Sequence, residues 1–599
     1  MKPYHLKNIS YAKNAASHFS TKFLLQKIFV FYLFSLTVTV TQAQQNEKSY
    51  QAIPFELDKV NERIVPIDLN GDGLIDFLTA DKSDLTIYFQ KSGTTTEKAF
   101  NFAKADLTLT LPGKAVGWDL DWNTALLPKV QSGEIKSSKT QSPTNQPIRI
   151  VAIVDGKQVI AWPIANNQLG AQEILIDNLQ ANIPLGAYPL DFVRDINSDE
   201  LNDFVVPGSD QFNIYLQQKN GKFVGDIQLK SNVFIESTLV SENDLTTKIG
   251  QEVRIPNIRI RDVNGDDRKD LVARTDGLLE VFFARSDNSY NTEPNYHYDF
   301  NEIDERLGEP SLDNFDLSNL SSATQYTYNY LLDDINGDKI QDLLIREAGK
   351  VVFYLGTKDG MNFEQPQQVL RSGGNVFAAV LLDEDKDDLK DLWLVRVEDI
   401  SLGRAFVWVA LSGSINIEAF IYRNEGERFA RRPHLKKTVS ITFPSLIKSI
   451  GIYSDIEEMS ESKDVTRTLA ANINAVDDIN DLLILDKSGI KVHLDVLEKQ
   501  LTEEEQFLGL IDDIREKDEF TIDLNEILSK VSVQGQKHLS IVQGRKEDFI
   551  LTLNNASDDL DPASDIWIND LNNDSHDDIL LVTQRKDETI KGILYLSNP

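Results

Sequence analysis

The sequence is organised around a nine-residue loop that recurs six times in one register. The first copy spans residues 68–76 (DLNGDGLID), and the others begin at Asp195, Asp262, Asp334, Asp383 and Asp570. Each copy has Asp at positions one, five and nine and Asn or Asp at position three. Six copies with the same spacing favour a repeat architecture in which each repeat carries one such turn.

Side-chain oxygens on alternate residues of a tight loop can converge on one point, and position seven would add its backbone carbonyl. Such a point suits a hard cation, and calcium takes about six to eight oxygen ligands at roughly 2.3–2.6 Å. A solvated hairpin is the alternative for any single copy, because Asp and Asn are common turn residues. The sequence therefore predicts about six structural calcium (Ca2+) sites. The predicted side-chain ligands are Asp68, Asn70, Asp72, Asp76, Asp195, Asn197, Asp199, Asp203, Asp262, Asn264, Asp266, Asp270, Asp334, Asn336, Asp338, Asp342, Asp383, Asp385, Asp387, Asp391, Asp570, Asn572, Asp574 and Asp578.

The residues after each loop distinguish it from an EF-hand, which needs a bidentate Glu at position twelve. Apolar runs follow position nine directly, as at 204–206 and 343–345, and other apolar runs precede the loops. Short apolar runs bounded by turn residues are typical of buried strands. The loop is therefore predicted to join two strands. Position twelve is occupied by Thr79, Val206, Ala273, Ile345, Leu394 and Leu581.

A longer repeating unit surrounds each loop: strand, Asp loop, strand, short turn and a third strand with an aromatic or bulky centre. Three or four antiparallel strands that recur every roughly 50–70 residues are typical of propeller blades. Two further units are degenerate, one around 118–122 and one at 473–481, where only Asp477 and Asp481 remain. Neither degenerate unit is expected to bind calcium in the ordinary way.

Counting both degenerate units gives eight repeats. The sequence thus predicts an all-β fold, a β-propeller of seven to eight blades with a few helical and loop insertions. The propeller is expected to be a single domain over residues 44–599, with insertions near 124–147, 286–328, 399–465 and 495–530. An N-terminal strand at 53–57 is expected to complete the last blade, which removes exposed sheet edges.

Residues 1–43 have the pattern of a secretory signal peptide. A lysine-containing segment without acidic residues precedes an apolar run at 28–40, and residues 41–43 (TQA) suit a small-x-small cleavage site. An uncleaved anchor is the alternative, but the run is short for a membrane span. The protein is therefore expected to be secreted, periplasmic or on the cell surface, with no membrane span after signal cleavage.

Charge and cysteine content exclude several classes of protein. The chain has 599 residues, no cysteine and a net charge of −33. Without cysteine there is no disulfide, thiolate metal site or Cys nucleophile. The acidic balance argues against nucleic acid or an anionic membrane as a partner.

Some of the insertions contain residues that favour contact with a partner. The tyrosine-rich insert at 286–328 is either a long surface loop or a recognition loop with tyrosine contacts. Residues 399–417 predict a helix with Asp399 or Ser401 as N-cap, and 498–514 predict a second helix. A basic cluster at 423–437 either neutralises acidic neighbours or docks an acidic partner or glycan. Its members are Arg423, Arg428, Arg431, Arg432, His434, Lys436 and Lys437, and the tyrosines of the insert are Tyr290, Tyr296, Tyr298, Tyr326 and Tyr328.

The loops with their flanking strands resemble the FG-GAP/VCBS repeat family, which builds the β-propeller of integrin α subunits and of many exported bacterial proteins. The resemblance extends from about residue 50 to the end of the chain. It implies calcium binding within a blade by Asp68, Asn70, Asp72 and Asp76 and by the equivalent side chains of the other five loops. The FG and GAP sequence motifs that give the family its name are poorly preserved in this chain. The resemblance therefore does not imply integrin-type ligand recognition.

Catalytic signatures are missing from the sequence: there is no HExxH, GxSxG, P-loop or dinucleotide fingerprint. Paired carboxylates leave a glycosidase-like acid–base pair open, but most ordered carboxylates are assigned to calcium. The sequence therefore favours a non-enzymatic, exported, calcium-stabilised propeller that acts as a binding, adhesion or scaffold module for a macromolecular partner, either a protein or a glycan. The alternative is a carbohydrate-binding or carbohydrate-active propeller, such as a lectin, a glycosidase or a lyase.

Overall fold

The computed structural model describes most of the chain. The described residues are 50–57, 63–91, 99–121, 148–243, 246–275, 277–309, 316, 318–445, 467–474, 479–486, 489–498, 519–523, 541–552, 565–583 and 590–597. The predicted signal peptide, the insert near 124–147, most of the helix predicted at 498–514 and Asp477 lie outside these ranges.

Strands dominate the described residues. The first group comprises β1 (Tyr50–Leu57), β2 (Arg63–Ile67), β3 (Asp76–Asp81), β4 (Asp84–Tyr88), β5 (Leu107–Thr110), β6 (Ala115–Asp121), β7 (Arg149–Val154), β8 (Gln158–Ala165), β9 (Gln168–Leu169), β10 (Glu173–Ile176) and β11 (Gly186–Pro189). The second group comprises β12 (Val193–Arg194), β13 (Asp203–Pro207), β14 (Gln211–Gln217), β15 (Phe223–Lys230), β16 (Phe234–Asn243), β17 (Thr246–Arg254), β18 (Asn257–Arg261), β19 (Asp270–Arg274), β20 (Leu278–Phe282), β21 (Tyr296–Asp299), β22 (Tyr328–Asp333), β23 (Asp342–Glu347), β24 (Lys350–Tyr354), β25 (Gly356–Thr357), β26 (Gly360–Met361), β27 (Gln368–Arg371), β28 (Asn375–Leu382), β29 (Asp391–Val397), β30 (Gly413–Tyr422) and β31 (Leu435–Phe443). The third group comprises β32 (Arg467–Ala471), β33 (Ile479–Asp486), β34 (Gly489–Glu498), β35 (Glu519–Asp523), β36 (Phe549–Leu551), β37 (Asp565–Asn569), β38 (Asp578–Thr583) and β39 (Ile590–Ser597).

Helices are few and short in the described part of the chain. They are α1 (Asn301–Leu307), a 3-10 helix (Leu320–Tyr326) and α2 (Leu402–Ala410). Ser401 caps α2 by accepting a hydrogen bond from the Arg404 N–H at 3.1 Å, so the serine alternative for the N-cap is confirmed. No helix among the described residues is long and apolar enough to cross a membrane. The prediction of an all-β fold is confirmed for the described residues.

The chain divides into two compact units. Of the described residues, the first contains those within 194–451 and 507–527, and the second contains those within 11–193, 452–506 and 528–599.

The first unit contains four sheets of four or five strands. Their strand orders are β12-β13-β14-β15, β18-β19-β20-β21, β22-β23-β24-β27 and β28-β29-β30-β31-β35. The hairpin β16-β17 lies between the first two sheets in the chain, and the hairpin β25-β26 lies between β24 and β27 of the third. Consecutive strands pair antiparallel, as in β19 with β20, whereas β35 joins the edge strand β31 in parallel.

The second unit contains four further sheets. Their orders are β2-β3-β4-β5, β10-β8-β7-β6-β11, β32-β33-β34-β36 and β1-β39-β38-β37. The last sheet contains both the first and the last described strand, because β1 pairs antiparallel with β39 over its whole length, from Tyr50 opposite Ser597 to Leu57 opposite Ile590. The expected pairing of the N-terminal strand with the C-terminal one is thus observed.

The second strand of each repeat is buried on both faces, which explains its unbroken apolar sequence. In β19, Leu271 and Ala273 belong to a core shared with the sheet containing β14. Val272, between them, points to the opposite face and packs in a core shared with β23 and β24. Alternate residues of a strand point to opposite faces. These three successive sheets of the first unit therefore pack face to face.

Three of the predicted insertions contain strands of the regular sheets. β21, at 296–299, is the fourth strand of its sheet. β30 and β31 extend the sheet begun by β28 and β29, and β35, in the insertion near 495–530, pairs with β31 at its edge. Residues 413–417, predicted as part of a helix, belong to β30. The tyrosine-rich insert is also more buried than expected, since Tyr290 and Tyr296 are each only 6% exposed. These two tyrosines are core residues and not contact anchors for a partner.

Candidate metal centres

The six Asp loops share one backbone conformation. Positions four and six adopt positive φ in every copy, whatever residue occupies them. Only glycine adopts this region without steric cost, and other residues accept it where the surrounding hydrogen bonds demand it. The residues at these positions are Gly71 and Gly73, Ser198 and Glu200, Gly265 and Asp267, Gly337 and Lys339, Lys386 and Asp388, and Asn573 and Ser575.

Position one holds the turn together through its carboxylate. In the fourth loop, Asp334 Oδ1 accepts the N–H of Gly337 at 2.8 Å and of Asp338 at 3.1 Å. Asp334 Oδ2 accepts the Lys339 N–H at 2.8 Å. The other five copies repeat at least two of these bonds. Positive φ at positions four and six turns these N–H groups towards the carboxylate.

Positions three and five direct further oxygens into the same turn. Asn336 Oδ1 accepts the Asp338 N–H at 3.1 Å, and Asp338 Oδ1 accepts the Ile340 N–H at 2.8 Å. Each oxygen accepts one backbone N–H here and keeps a second lone pair. In the fourth loop, the side chains of positions one, three and five thus accept hydrogen bonds from the backbone of the same turn.

The aspartate at position nine is buried and connects the loop to the next hairpin, and we call it the clasp. It is at most 1% exposed in all six loops: Asp76, Asp203, Asp270, Asp342, Asp391 and Asp578. One carboxylate oxygen accepts the N–H of position two in five loops, for example from Ile335 to Asp342 at 3.1 Å. The other oxygen accepts an N–H from the far end of the next hairpin in all six, for example from Gly356 at 2.8 Å. This one side chain ties the start of the loop to the third strand.

Burial makes these carboxylates costly to ionise. It raises the pKa of Asp76, Asp203 and Asp578 to about 7 and the pKa of Asp270 and Asp342 to about 6. The backbone hydrogen bonds lower each pKa but do not offset the desolvation. A divalent cation close to such a carboxylate would favour its charged form.

The fifth loop has the most carboxylates and an unused buried oxygen. Carboxylate oxygens of Asp383, Asp385 and Asp387 lie within 4.8 Å of one another, the one such acidic group in the described ranges. Asp391 is 1% exposed, and its Oδ2 is buried without a hydrogen-bond partner. Position two here is Glu384. Burial raises the pKa of the Asp391 carboxyl, and the backbone N–H of Glu384 offsets only part of this effect. The three carboxylates of Asp383, Asp385 and Asp387 could hold a metal ion.

The basic cluster contributes ion pairs around the fifth loop. Arg423 contacts Asp385 at 3.1 Å. Lys437 pairs with Glu384 at 3.1 Å, with side chains only 3% and 10% exposed. Lys436 pairs with Glu418 of β30. For these members of the cluster, neutralisation of acidic neighbours is the observed role.

Asn424 and Tyr290 support the loops through contacts that the sequence did not predict. Asn424 donates its N–H to Asp391 Oδ1 at 2.7 Å and its amide to the Ile335 carbonyl of the fourth loop at 2.7 Å. Tyr290 donates its hydroxyl to the Lys269 carbonyl of the third loop at 2.8 Å.

The degenerate unit at 473–481 keeps the clasp. Asp481 is fully buried and accepts the N–H groups of Asn474, at position two, at 3.2 Å and of Asp495 at 2.7 Å. These are the two connections that position nine makes in the complete loops, and the N–H of Ile473 adds a third bond at 2.6 Å. The clasp therefore forms without the side chains of positions one and three.

Comparisons with known proteins assign no family. No protein-family model matches the chain, and no curated protein matches it. Among solved structures, it is similar to a lectin from Agrocybe aegerita whose description is specific recognition of non-reducing terminal N-acetylglucosamine. The identity is 11%, the match covers 65% of this chain and 80% of that one, and the TM-score is 0.25. A likeness of this size supports neither a fold nor a ligand for the present chain.

Proposed function

We propose that the chain is an exported β-propeller, similar to the FG-GAP/VCBS proteins, that is stabilised by calcium and serves as a binding, adhesion or scaffold module. The partner is a macromolecule, either a protein or a glycan, and not a nucleic acid. The observation that carries the proposal is the common geometry of six loops, in which positions one, three and five present oxygens around one turn and position nine closes it.

Calcium fits the donor set of the loops. Every predicted side-chain ligand offers oxygen, which hard cations prefer. In the fifth loop, the buried Oδ2 of Asp391 has no hydrogen-bond partner, although buried polar atoms normally have one. This oxygen belongs to the same loop as three clustered carboxylates, and together they are the observation that best fits a bound cation. When bound, the ion would supply positive charge that offsets carboxylate repulsion within the turn.

The arrangement of sheets supports a propeller. Each unit has four sheets of four or more strands, which consist mainly of consecutive antiparallel strands. In the described part of the chain, these eight larger sheets match the eight repeats of the sequence. The pairing of β1 with β39 places the first and last described strands in one sheet, which is how a propeller avoids a free edge.

A role in binding agrees better with the site than catalysis does. The position-nine carboxylates are buried and bonded to backbone N–H groups, as Asp342 is. Those of position one hold the turn. Carboxylates engaged in this way are poorly placed to exchange protons with a substrate.

The test is a thermal melt of the purified protein with calcium and with chelator, together with metal analysis. A ligand that binds only the folded state stabilises it by mass action, so we expect a large fall in melting temperature on chelation and about six ions per chain. Asp338→Ala should remove one ion. Asp359→Ala, on an exposed turn of the same sheet region, should remove none. Absence of bound metal together with an unchanged melting temperature would refute the calcium part of the proposal.

A further inference from the structure

We propose that a cleft beside the third Asp loop binds a sugar carrying an oxyanion group, a carboxylate or a sulfate. The cleft has a volume of about 580 Å³ and lies within the first unit. It is lined by residues 264–268 of the loop, by residues of the segment 283–295 and by Lys358 in the turn between β25 and β26. The inference adds the chemistry of the partner to the proposed function. It rests on one part of that function, namely that the chain is a binding module.

Positive charge converges on this cleft in an otherwise acidic molecule. Arg268, Arg285 and Lys358 line it, and all three are exposed, whereas the chain as a whole carries a net charge of −33. Within the described ranges, neither Arg285 nor Lys358 forms an ion pair with a carboxylate. A guanidinium fork with a neighbouring ammonium matches a carboxylate or a sulfate in charge and geometry.

The acidic residues of the cleft already have partners. Asp266 pairs with Arg268 in its own loop. Asp287 accepts hydrogen bonds from the Ser289 N–H at 3.1 Å and the Ser289 hydroxyl at 2.5 Å, and these bonds lower the pKa of its carboxyl. The side chains that remain to meet a ligand on this wall are therefore mainly cationic or neutral.

Two carboxamides give the cleft donors for neutral hydroxyls. Asn295 Oδ1 accepts the Phe283 N–H at 2.8 Å, and Asn291 Oδ1 accepts a hydrogen bond from the Arg285 guanidinium. These bonds fix the orientation of each carboxamide, and its NH2 group can donate to a ligand. The volume is that of a small-molecule site, roughly 300–1,000 Å³, and exceeds the size of a bare inorganic anion. A ligand that places an oxyanion against the cationic side chains and hydroxyl groups against the carboxamides is an acidic sugar.

The experiment is calorimetric titration of the purified protein in calcium buffer with four probes. These are a galacturonate trisaccharide, a sulfated galactose disaccharide, a neutral galactose trisaccharide and inorganic phosphate. We expect one or both acidic sugars to bind at least about tenfold more tightly than the neutral sugar and phosphate. The stronger of the two identifies the oxyanion. Equal affinity for the neutral sugar or for phosphate, or no binding of either acidic sugar, would overturn the assignment.

A pair of double variants locates the site. Arg285→Ala with Lys358→Ala should weaken binding of the acidic sugar by about tenfold or more. Arg431→Ala with Arg432→Ala removes the same charge from two exposed arginines elsewhere in the first unit, and should change the affinity less than about twofold. Equal losses in the two double variants would mean that overall charge, and not this cleft, controls binding.

Metal analysis of the same preparations separates this inference from the proposed function. Protein that binds calcium with the expected stoichiometry but neither acidic sugar contradicts the cleft alone. Protein that binds an acidic sugar but no calcium contradicts the calcium-stabilised module and leaves the cleft in place.

Discussion

Asp481 occupies the buried clasp position in a loop where Ile473 and Ala475 stand at positions one and three. It nevertheless accepts the N–H groups of position two and of the next hairpin, as in the complete loops. A carboxylate that accepts two backbone N–H groups from separate segments fixes their spacing whether or not a cation is near. At the level of single residues, position nine therefore shapes the hairpin, while positions one, three and five determine whether a cation can bind.

Positions four and six of the loops have positive φ, and we predict that replacing a glycine there destabilises the protein. Gly71 has a φ of +77° and nothing within 4 Å of where its Cβ would lie. In Gly71→Ala, only backbone strain opposes the substitution, and we expect a loss of about 1–2 kcal/mol in the free energy of unfolding. Denaturant titration measures this loss.

Gly373 is the matched control, because it also has open space around the added Cβ but lacks the positive φ. Gly373→Ala should be neutral or slightly stabilising, by about 0.4–1 kcal/mol, through the unfolded state. Equal effects of the two substitutions would show that φ at position four does not govern the stability of the turn.

Asp119 of β6 predicts a pH dependence that is unrelated to the loops. Burial raises its pKa to about 7, against hydrogen bonds from Phe192 and Val193 that lower it. A folded-state pKa above the unfolded value of 3.8 means that folding favours the neutral acid. The stabilising contribution is therefore complete below about pH 4 and is lost as the pH rises through 7.

Asp119→Asn stays neutral at every pH. Relative to the wild type, its free energy of unfolding should increase between pH 4 and pH 8, by on the order of 1.4 kcal/mol for each pKa unit crossed. Asp177→Asn, at an exposed carboxyl whose pKa hydrogen bonding lowers, should show no such trend over this range. Denaturant unfolding at several pH values in calcium buffer compares the two, and parallel curves for Asp119→Asn and the wild type would contradict the assignment.

At the level of secondary-structure elements, the strands that flank the loops could be predicted from the sequence. Each is marked by a short run of apolar residues that are neighbours in the chain. Residues 343–345 are apolar without interruption, and all of them are buried since β23 packs on both faces. The boundary between α2 and β30 was missed because residues 399–417 keep an apolar pattern compatible with a helix. The helix ends at Ala410, and β30 begins at Gly413 because the residues that follow pair with β29 and β31. Such tertiary pairing overrides a local pattern.

The support residues of the loops were harder to predict for the same reason. In four complete loops the clasp accepts an N–H fourteen residues later. For Asp391 the donor is Asn424, because the connection that contains α2 lengthens the spacing to thirty-three residues. No local sequence signal links two residues so far apart. The ligand positions could be predicted from spacing alone, whereas their partners required the packed sheets.

The β1 strand provides a prediction for the sheet that contains both the first and the last described strand. Phe55 is 7% exposed and packs against Phe102 with ring centroids 5.0 Å apart. Phe55→Ala should lower the free energy of unfolding by about 3–5 kcal/mol, as for other buried aromatic truncations. The neighbouring Glu56 has a side chain that is 59% exposed and lies 3.6 Å from Lys591. Glu56→Ala should therefore cost less than about 1 kcal/mol. Similar losses for the two variants in denaturant unfolding would mean that packing of β1 contributes little to the sheet.

At the scale of the whole molecule, the net charge of −33 opposes the compact state. In chelator, repulsion between the carboxylates of each turn adds to this general term. Raising sodium chloride from about 0.05 to about 0.5 M shortens the Debye length from over 10 Å to about 4–5 Å, so the melting temperature in chelator should rise with salt.

With calcium present, the clustered charge in the loops is partly neutralised, and the same increase in salt should raise the melting temperature less. The measurement is four thermal melts, at low and high salt with and without calcium. If salt raises the melting temperature equally in both cases, the ions do not relieve repulsion in the loops. A fall with salt in chelator would instead mean that attractive ion pairs, such as the buried pair of Lys437 with Glu384, outweigh the repulsion of the carboxylates.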